Sequence, residues 1–469
     1  MMLPTPVKPA EQLSFSNRLF RRFIFGIVRR LRSGQLAIQD ASGRHLFGAA
    51  ATDDSGQPLP PIEIQVHRPA FYGRVLWGGG LGAAESLMDG DWSCSDLTGL
   101  VRLMTRNLDL ADDFDRGFGR WRKSWERWGH WLRRNSPRQA KQNIREHYDL
   151  GNDFFELFLD PTMNYSSAVF SDLSVGAAGE THSRESLHRG QLNKMDRLCR
   201  MLDLGPDDHL LEIGTGWGSL ACYAAKHFGC RVTTTTISRE QYNWACRRVE
   251  TEGLVDRVTV LDRDYRLLEG KYDKIISVEM IEAVGDHYYE TFFDKCNSLL
   301  KPDGLLLLQA ITIVDQRYRE HLRSVDFICK YIFPGGSLPS ITRLVQCAAD
   351  SASMRLVQLN DYAPHYAETL RRWRQRFHQQ LDKVRSLGYD ERFIRMWDYY
   401  LAYCEAGFDE RQINLVHLLW AHRQCRVDHG ANLERLASPR VTTTNLASHN
   451  SVRVDRTSEA GPPDAAVNP

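Results

Sequence analysis

The sequence contains no apolar run of about 18 residues, the length that a membrane-spanning helix needs. Arginines interrupt the apolar residues near the N-terminus, so the continuous apolar core of a secretory signal peptide is missing as well. The charges nearly balance, with 60 Lys and Arg against 59 Asp and Glu, so the net charge of +1 gives no overall indication of nucleic-acid binding. These absences predict a cytoplasmic protein that does not span a membrane.

The cysteines lack the spacing of a metal site or of a disulfide framework. None of the ten forms a Cys-x-x-Cys pair, and none lies in a cluster with histidine. Structural zinc sites and disulfide-rich folds depend on such clusters or regular spacings. We therefore expect reduced thiols and no metal ion.

Composition divides the 469 residues into four parts. Residues 1–114 are predicted to form an N-terminal domain, and residues 115–145 form a basic, tryptophan-rich segment. Residues 146–436 carry the alternating strand and helix patterns of a larger α/β domain. Residues 437–469 have few apolar residues and no aromatic residue, which predicts a disordered tail.

The N-terminal domain has strand-like pieces followed by a helical one. Strands are predicted over residues 34–40, 61–69 and 73–79. The sequence DLTGLVRLMTRNL, residues 96–108, has helical spacing of its apolar residues. The domain is therefore expected to be of mixed α+β type.

The most informative stretch is LLEIGTGWGSLA, residues 210–221. An apolar run ends at a turn that contains Gly214, Gly216 and Gly218, which lack a Cβ and let a ligand approach the backbone closely. The spacing is Gly-x-Gly-x-Gly, whereas dinucleotide-binding folds use Gly-x-Gly-x-x-Gly around a pyrophosphate. This difference favours S-adenosylmethionine over NAD, because S-adenosylmethionine has no pyrophosphate to hold.

Further strand patterns follow the glycine-rich turn and alternate with helix-length segments. They cover residues 230–238, 256–265, 272–282 and 305–313. The alternation predicts a parallel, doubly wound sheet whose ligand lies at the carboxyl ends of the strands. Four polar residues fall at such ends: Glu212, Asp264, Tyr265 and Glu282. The acid that binds ribose in dinucleotide folds is absent, because residues 236–238 are Thr-Ile-Ser.

Two stretches have the composition of membrane-surface elements. Between residues 18 and 32, apolar residues recur every fourth position among six arginines, as Leu19, Phe23, Ile27 and Leu31. Between residues 121 and 131, four tryptophans share one helical face: Trp121, Trp125, Trp128 and Trp131. Both patterns are typical of helices that bind an anionic membrane surface, although packing on the protein's own core would explain each of them too.

Five separated motifs, in order, resemble the cyclopropane-fatty-acyl-phospholipid synthases, a group that includes the mycolic acid cyclopropane synthases. They lie at residues 147–170, 210–218, 236–241, 278–285 and 331–340, and the resemblance extends over about residues 15–430. It implies a class I methyltransferase, a Rossmann-like α/β fold with a seven-stranded doubly wound sheet. It also implies a smaller N-terminal α+β domain that engages lipid and, in some members, forms a homodimer. The implied reaction adds a methyl group from S-adenosylmethionine to the double bond of an unsaturated acyl chain in a membrane phospholipid.

The resemblance also implies the cofactor site. Thr236 and Gln241 match the pair that replaces the usual ribose-binding acid, and Asp264 with Tyr265 falls where the adenine would lie. Tyr165 and Ser166 match residues that contact the cofactor from the N-terminal side. The full set of implied cofactor-binding residues is Tyr165, Ser166, Glu212, Gly214, Gly216, Trp217, Gly218, Thr236, Gln241, Asp264 and Tyr265.

The chemistry requires a proton acceptor. An alkene that attacks the sulfonium methyl becomes a carbocation, which aromatic faces can stabilise and which must then lose a proton from the new methyl group to close a ring. In the family, bound bicarbonate is the implied acceptor. Its holders correspond here to Ser167, Glu282, Gln309, the backbone of Ile311, and Tyr366. Cys404 matches a cysteine often named as an active-site residue, although its helical spacing among apolar residues is also that of a buried core thiol.

Two of these positions depart from the family pattern. Ser167 stands where the family has cysteine, and Gln309 stands where it has histidine. Glutamine can hydrogen-bond an anion but cannot carry a proton, so Glu282 itself could be the base. We expect a cyclopropane product because the rest of the pattern is intact, and a methylene- or methyl-branched chain is the second candidate. The sequence also leaves open a small-molecule methyltransferase and a non-catalytic membrane-associated protein.

Overall fold

The computed structural model describes residues 14–50, 59–107, 150–176 and 181–426. The tryptophan-rich segment predicted at residues 115–145 and the tail predicted at residues 437–469 lie outside the described residues. No helix within the described ranges is both long and apolar enough to cross a membrane.

The described part of the N-terminal unit combines three helices with a four-stranded sheet. Its elements are α1 (Phe15–Val28), β1 (Gln35–Asp40), β2 (Gly43–Gly48), β3 (Ile62–Val66), α2 (Ala70–Met88), β4 (Trp92–Cys94) and α3 (Leu97–Arg106). The strands lie in the order β2-β1-β3-β4, and only the pair β1–β3 is parallel. The predictions of β1, β3 and α3 are confirmed.

The strand predicted over residues 73–79 is wrong, because this segment lies inside α2. The buried residues Phe71, Tyr72, Val75 and Leu76 recur at helical spacing, which places them on one face of a helix. Gly79 has a φ of 57° and interrupts the helical backbone with a kink. A glycine-rich apolar segment is ambiguous between the two structures until its packing partner is known.

Helix α1 presents two apolar faces instead of one stripe. Ile24, Phe25 and Val28 pack into the core, as does Leu31 beyond the helix end. Leu19 and Phe23 are instead 45% and 51% exposed. The predicted stripe is therefore divided between the core and the surface.

A seven-stranded sheet forms the centre of the larger unit. Its strands are β7 (His209–Ile213), β8 (Arg231–Thr236), β9 (Val258–Asp262), β10 (Tyr272–Val278), β11 (Leu300–Ile313), β12 (Met354–Asp361) and β13 (Ile413–His422), in the order β12-β13-β11-β10-β7-β8-β9. A short hairpin, β5 (Ser174–Val175) with β6 (Thr181–His182), precedes it. The five predicted strands are confirmed, but the sheet is mixed, because β13 runs antiparallel to both of its neighbours.

Ten helices accompany this sheet. They are α4 (Asn152–Glu156), α5 (Leu187–Met201), α6 (Ser219–Phe228), α7 (Arg239–Thr251), α8 (Tyr289–Leu299), α9 (Asp315–His321), α10 (Ile341–Ser351), α11 (Ala363–Gln379), α12 (Leu381–Ser386) and α13 (Glu391–Asp409) within the described ranges. Several begin at a side chain that accepts a hydrogen bond from the first turn, as Ser186, Ser238, Ser340 and Asp390 do. Such caps fix the helix starts locally, before tertiary packing is considered.

One hydrophobic core joins the two units. It contains Trp92 of the N-terminal unit together with Phe154, Phe158, Trp373 and Trp397 of the larger one. Helix α13 packs against both α2 and α3. Polar contacts reinforce this packing: Arg102 on α3 donates to Glu410 at 2.8 Å, and Thr98 donates to the buried Glu405 at 3.2 Å.

Candidate functional site

A cavity of about 570 Å³ opens at the carboxyl ends of β7, β8, β10 and β11. Its position agrees with the rule that ligands of doubly wound sheets bind at these strand ends. Ten of the eleven predicted cofactor-binding residues line it: Tyr165, Ser166, Glu212, Gly214, Gly216, Trp217, Thr236, Gln241, Asp264 and Tyr265. Gly218 does not line the cavity; it is the N-cap residue before α6, and a Cβ there would lie 3.0 Å from the Cβ of Ala245.

The glycine-rich turn leaves one side of its backbone open to the cavity. Gly214 and Gly216 have φ values of 102° and 52°, a region that side chains rarely adopt. A Cβ on Gly216 would meet no atom within 4 Å, so the space beside it is free for a ligand. The amides of Gly214 and Thr215 both donate to the carbonyl of Thr235 at 3.0 Å, which fixes the turn against β8.

Glu212 lies behind this turn as a buried carboxyl group. It accepts a hydrogen bond from the hydroxyl of Thr234 at 2.5 Å. Burial raises the pKa of Glu212 to about 8, although the Thr234 hydrogen bond and the charge of Lys194 oppose this rise. Glu212 is therefore largely protonated at neutral pH in the free protein.

Lys194, which sequence reasoning missed, is a second buried charged group at the same place. Its Nζ donates to the Ser166 hydroxyl at 2.7 Å, and its side chain lines the cavity. Burial lowers the pKa of Lys194 to about 8, against the acidic groups around it. The sequence carried a signal, because Gln191, Lys194, Met195 and Leu198 form the buried stripe of α5 and a lysine in such a stripe is unusual.

Thr236 and Gln241 come together at the end of β8. The Thr236 hydroxyl donates to Oε1 of Gln241 at 3.0 Å. Farther along the sheet edge, Arg266 donates twice to the carboxylate of Asp264, at 2.9 and 2.6 Å. Burial opposes ionisation of Asp264, yet these hydrogen bonds hold its pKa below the usual value.

Glu279 is the central polar group of the other half of the cavity, and sequence reasoning missed it. Its Oε1 accepts hydrogen bonds from the Ser167 amide at 3.0 Å and from Nε2 of Gln309 at 2.7 Å. Its Oε2 accepts one from the Tyr366 hydroxyl at 2.6 Å. The side chain also lines the cavity. The available signal was its place in the VEMIE motif, three residues before Glu282.

Glu282 lies beside this group, in a short 3₁₀ turn beyond the end of β10. Its Oε1 accepts the amide hydrogen bond of Ile311 at 2.6 Å, while Oε2 has no hydrogen-bond partner among the described residues. Burial, together with the charge of Glu279, raises the pKa of Glu282 to about 8. The strand predicted to reach Glu282 ends at Val278.

Ser167 and Gln309 lie behind the cavity wall instead of lining it. The Ser167 hydroxyl donates to the carbonyl of Ala168 at 2.9 Å, so this residue reaches the site through its amide and not through the side chain that the prediction relied on. The Oε1 of Gln309 is 2.9 Å from Nε2 of His417, which must donate because the amide oxygen can only accept. This contact orients the Gln309 amide nitrogen toward Glu279.

Aromatic rings surround the two carboxyl groups. The hydroxyls of Tyr165 and Tyr400 are 2.8 Å apart, and the ring of Tyr366 stacks on Phe408 with centroids 4.5 Å apart. Cys404 lines the same wall, and burial raises the pKa of its thiol, which is therefore neutral at physiological pH. Such walls can exclude water and stabilise positive charge.

The cavity continues to the N-terminal unit. Trp77, Gly79 and Leu81 of α2 line it, as does Val101 of α3. Trp77 is 48% exposed and contacts Phe20 of α1 edge to face, with ring centroids 6.4 Å apart. A mostly apolar cavity therefore extends from the carboxyl pair to Trp77, whose ring contacts α1.

Comparison with known proteins identifies the family. The family model for mycolic acid cyclopropane synthetase matches residues 135–418. The chain is 37% identical over 411 residues to the tuberculostearic acid methyltransferase UfaA1 of Mycobacterium tuberculosis, covering 85% of this chain and 89% of that protein. It is 35% identical over 377 residues to the cyclopropane-fatty-acyl-phospholipid synthase of Escherichia coli K12, covering 80% of this chain and 91% of that protein.

A solved structure supports the same assignment. The mycolic acid cyclopropane synthase CmaA1, complexed with SAH and CTAB, superimposes with a TM-score of 0.54 and 29% identity, over 60% of this chain and 98% of that one. SAH is the product that S-adenosylmethionine leaves after methyl transfer. The chain therefore belongs to the mycolic acid cyclopropane synthetase family and is an S-adenosylmethionine-dependent methyltransferase that methylates fatty acyl chains.

Proposed function

We propose that this enzyme adds a methyl group from S-adenosylmethionine to the carbon–carbon double bond of an unsaturated acyl chain in a membrane phospholipid. The observation that carries the proposal is the single cavity that joins the glycine-rich turn, a pair of carboxyl groups and an aromatic wall, and then continues to α2. An acyl chain needs such a long apolar passage, whereas a small polar methyl acceptor does not. This argument favours a lipid over a small-molecule substrate.

The residues at the strand ends fit the cofactor. The backbone of Gly214 and Gly216 can contact its methionine part, and the Thr236–Gln241 pair offers hydrogen-bonding groups for the ribose hydroxyls. Asp264 and Tyr265 lie where the adenine can be bound. When bound, S-adenosylmethionine supplies an electrophilic methyl group on a positively charged sulfur.

The aromatic wall suits the steps that take place on the acyl chain, which accepts the methyl group. Tyr165, Tyr366 and Tyr400 present electron-rich groups to the part of the cavity that contains Glu279 and Glu282. A carbocation on the acyl chain would be stabilised there and shielded from water, which would otherwise add to it. Holding the double bond in this enclosed space also brings it to the methyl group in one orientation.

A cyclopropane chain is the product that we propose, in line with the family and with the Escherichia coli relative. A methylene- or methyl-branched chain is the second candidate. It is favoured by Ser167 and Gln309, the two departures from the family pattern, and by the similarity to a tuberculostearic acid methyltransferase, since tuberculostearic acid is methyl-branched. A ring and a methylene branch differ in whether a hydride shift precedes proton loss.

We further propose that the enzyme works on the cytoplasmic surface of the membrane without spanning it. Phe15, Leu19 and Phe23 form an exposed apolar face of α1, at 86%, 45% and 51% exposure. Arg18 and Arg22 are exposed on the same helix. Apolar side chains flanked by arginine fit the headgroup layer of an anionic bilayer, and Trp77 leads from this face into the cavity.

The lipid product can be tested with purified enzyme, S-adenosylmethionine and vesicles of a monounsaturated phospholipid. We expect acyl chains heavier by one CH₂ group in mass spectra, because methyl addition and proton loss add that unit. NMR of the isolated chains then separates a ring from a branch. Unchanged lipids, with turnover of a soluble amine or hydroxyl compound instead, would contradict the proposed substrate.

Gly216→Val should abolish binding of S-adenosylmethionine, because its side chain would enter the open space beside the turn. Isothermal calorimetry measures the affinity, and circular dichroism checks the fold. Gly253→Val is the matched control, since Gly253 also has a positive φ and open space around a Cβ but lies outside the cavity. Equal affinities in the two variants would refute the assignment of the turn.

The pH dependence of cofactor binding should reflect the charge of the cavity. Glu212, Glu282 and Lys194 each have a pKa of about 8, so raising the pH through 8 ionises the two acids and neutralises the lysine. The cavity becomes more negative, which strengthens binding of the positively charged sulfonium. Calorimetry from about pH 6.5 to 9 should show the affinity for S-adenosylmethionine rising several-fold relative to that for S-adenosylhomocysteine, whose sulfur is uncharged. A constant ratio would mean that these groups do not face the sulfonium.

Membrane binding should depend on the exposed face of α1. Replacing Leu19 and Phe23 by Gln should reduce co-sedimentation with anionic vesicles and leave cofactor binding unchanged. The control replaces Val255 and Leu387, which are 60% and 43% exposed elsewhere on the surface. Binding of the native enzyme should also weaken with salt, since part of the attraction is screened. The face has no such role if the two double variants sediment alike.

A further inference from the structure

We propose that Glu279 supplies from the protein itself the carboxylate that the family resemblance assigns to bound bicarbonate, and that this carboxylate accepts the proton from the methylated acyl chain. The inference rests on the proposed function, because the proton in question is released by methylation of a double bond. The family resemblance indicated neither Glu279 nor its role as proton acceptor.

The hydrogen bonds of the site exclude bicarbonate. Three of its expected holders are Ser167, Gln309 and Tyr366. The Ser167 backbone amide, the Gln309 side-chain amide and the Tyr366 hydroxyl all donate to Glu279 at 2.6–3.0 Å. The Ile311 amide donates to Glu282. The donors that would hold a bound anion are thus already occupied by side-chain carboxyl groups of the chain. The residues present do not fit bicarbonate, and no step of the proposed reaction passes through it.

The site also holds Glu279 in one position. Donors from three separate segments bind its two oxygens, so the carboxylate cannot rotate without losing a hydrogen bond. Behind it, His417 fixes the orientation of the Gln309 amide. A group fixed in this way at a cavity wall is prepared for a reaction at one point in that cavity.

The backbone at Glu279 is also unusual. Its φ is 49°, in the left-handed region that favours glycine. Such a conformation persists in a residue other than glycine when the surroundings require it, and it is often found at functional sites. Here it directs the carboxylate from the end of β10 toward Tyr366 on α11.

The two carboxyl groups divide the charge between them. Burial raises the pKa of both carboxyl groups. Glu279 has three donors and the nearby cation Lys194 to stabilise its anionic form, whereas Glu282 has one amide donor. Like charges this close disfavour ionisation of both, so the group with more donors carries the charge. Of the two, Glu279 is therefore the group that ionises more readily, whereas burial and the charge of Glu279 raise the pKa of Glu282 to about 8.

The reaction balances with this assignment. The π electrons of the double bond form a bond to the donor methyl carbon, and the carbon–sulfur bond breaks with its electron pair left on sulfur. The resulting carbocation loses a proton to Glu279. The electron pair of that carbon–hydrogen bond closes the ring, or forms a double bond if a hydride shift has come first. Glu279 returns the proton to water when the products leave.

Glu279→Gly is the main test variant. Glycine suits the positive φ at this position, and its lack of a side chain leaves a site the size of a carboxylate among three free donors. Asp203→Gly is the matched control, because Asp203 has a φ of 50° and lies exposed and outside the cavity. Glu279→Gln is the second variant, since it keeps the site filled and removes the charge.

Two measurements are made on each protein. One is NMR of ¹³C-bicarbonate binding, which requires no lipid turnover. The other is lipid methylation in buffer stripped of carbon dioxide, with and without added bicarbonate or formate. We expect the native enzyme and Asp203→Gly to bind no bicarbonate and to work equally well in either buffer.

We expect Glu279→Gly to lose roughly 10²-fold in turnover in stripped buffer, as for removal of a general base, to bind bicarbonate, and to recover at least tenfold with bicarbonate or formate. Glu279→Gln should lose activity without recovery. The proposal is overturned if the native enzyme binds bicarbonate or loses activity in stripped buffer. It is also overturned if Glu279→Gly keeps full activity in stripped buffer, or if neither anion binds to this variant or restores its activity. If the native enzyme methylates no lipid, the proposed function fails, while the binding measurement still decides whether Glu279 occupies the anion site.

Discussion

The packing of α13 is the contact on which both the fold and the site depend. Trp397 on this helix lies among the rings of Phe154, Phe155 and Phe158, and the helix also packs against α2 and α3 of the N-terminal unit. Farther along the same face of the helix, Tyr400, Cys404 and Phe408 line the cavity. Because buried aromatic packing is among the larger stabilising contributions, it fixes where the N-terminal unit meets the cavity. The extension of the cavity to α2 and α3 follows from this contact.

A second constraint is the cost of ionised groups in that apolar enclosure. Glu212, Glu282 and Lys194 all have pKa values displaced toward the neutral form by burial. Burial also raises the pKa of Glu279, but its three hydrogen-bond donors stabilise its anion better than the one donor of Glu282 does. Glu279 is therefore the base that lies where a carbocation would form. Other titratable residues of the cavity lie where a sulfonium would bind.

Local patterns account for what could be predicted. The five strands of the predicted sheet were evident because buried parallel strands carry runs of apolar or β-branched residues, as the threonines of β8 do. The glycine-rich turn was evident from the spacing of its glycines. The prediction of a strand over residues 73–79 was wrong because glycine-rich apolar segments have little local preference for either strand or helix. The packing of Phe71 and Val75 stabilises the helix. Likewise, nothing in the run INLVHLLWAH, residues 413–422, indicates that β13 lies antiparallel between two other strands.

The sequence by itself determined the cofactor half of the site, since Glu212, Gly214 and Gly216 are close together in the chain and a local turn brings them to the strand end. Only the tertiary structure decided the acceptor half. Glu279 meets Gln309 because Val278 pairs with Gln309 across β10 and β11, and it meets Ser167 and Tyr366 from 112 and 87 residues away. Such contacts depend on sheet register and helix packing, which are collective properties of the whole core. In the sequence, Glu279 is only another acidic residue after a strand. In the folded protein, it is therefore the carboxylate at the centre of the site.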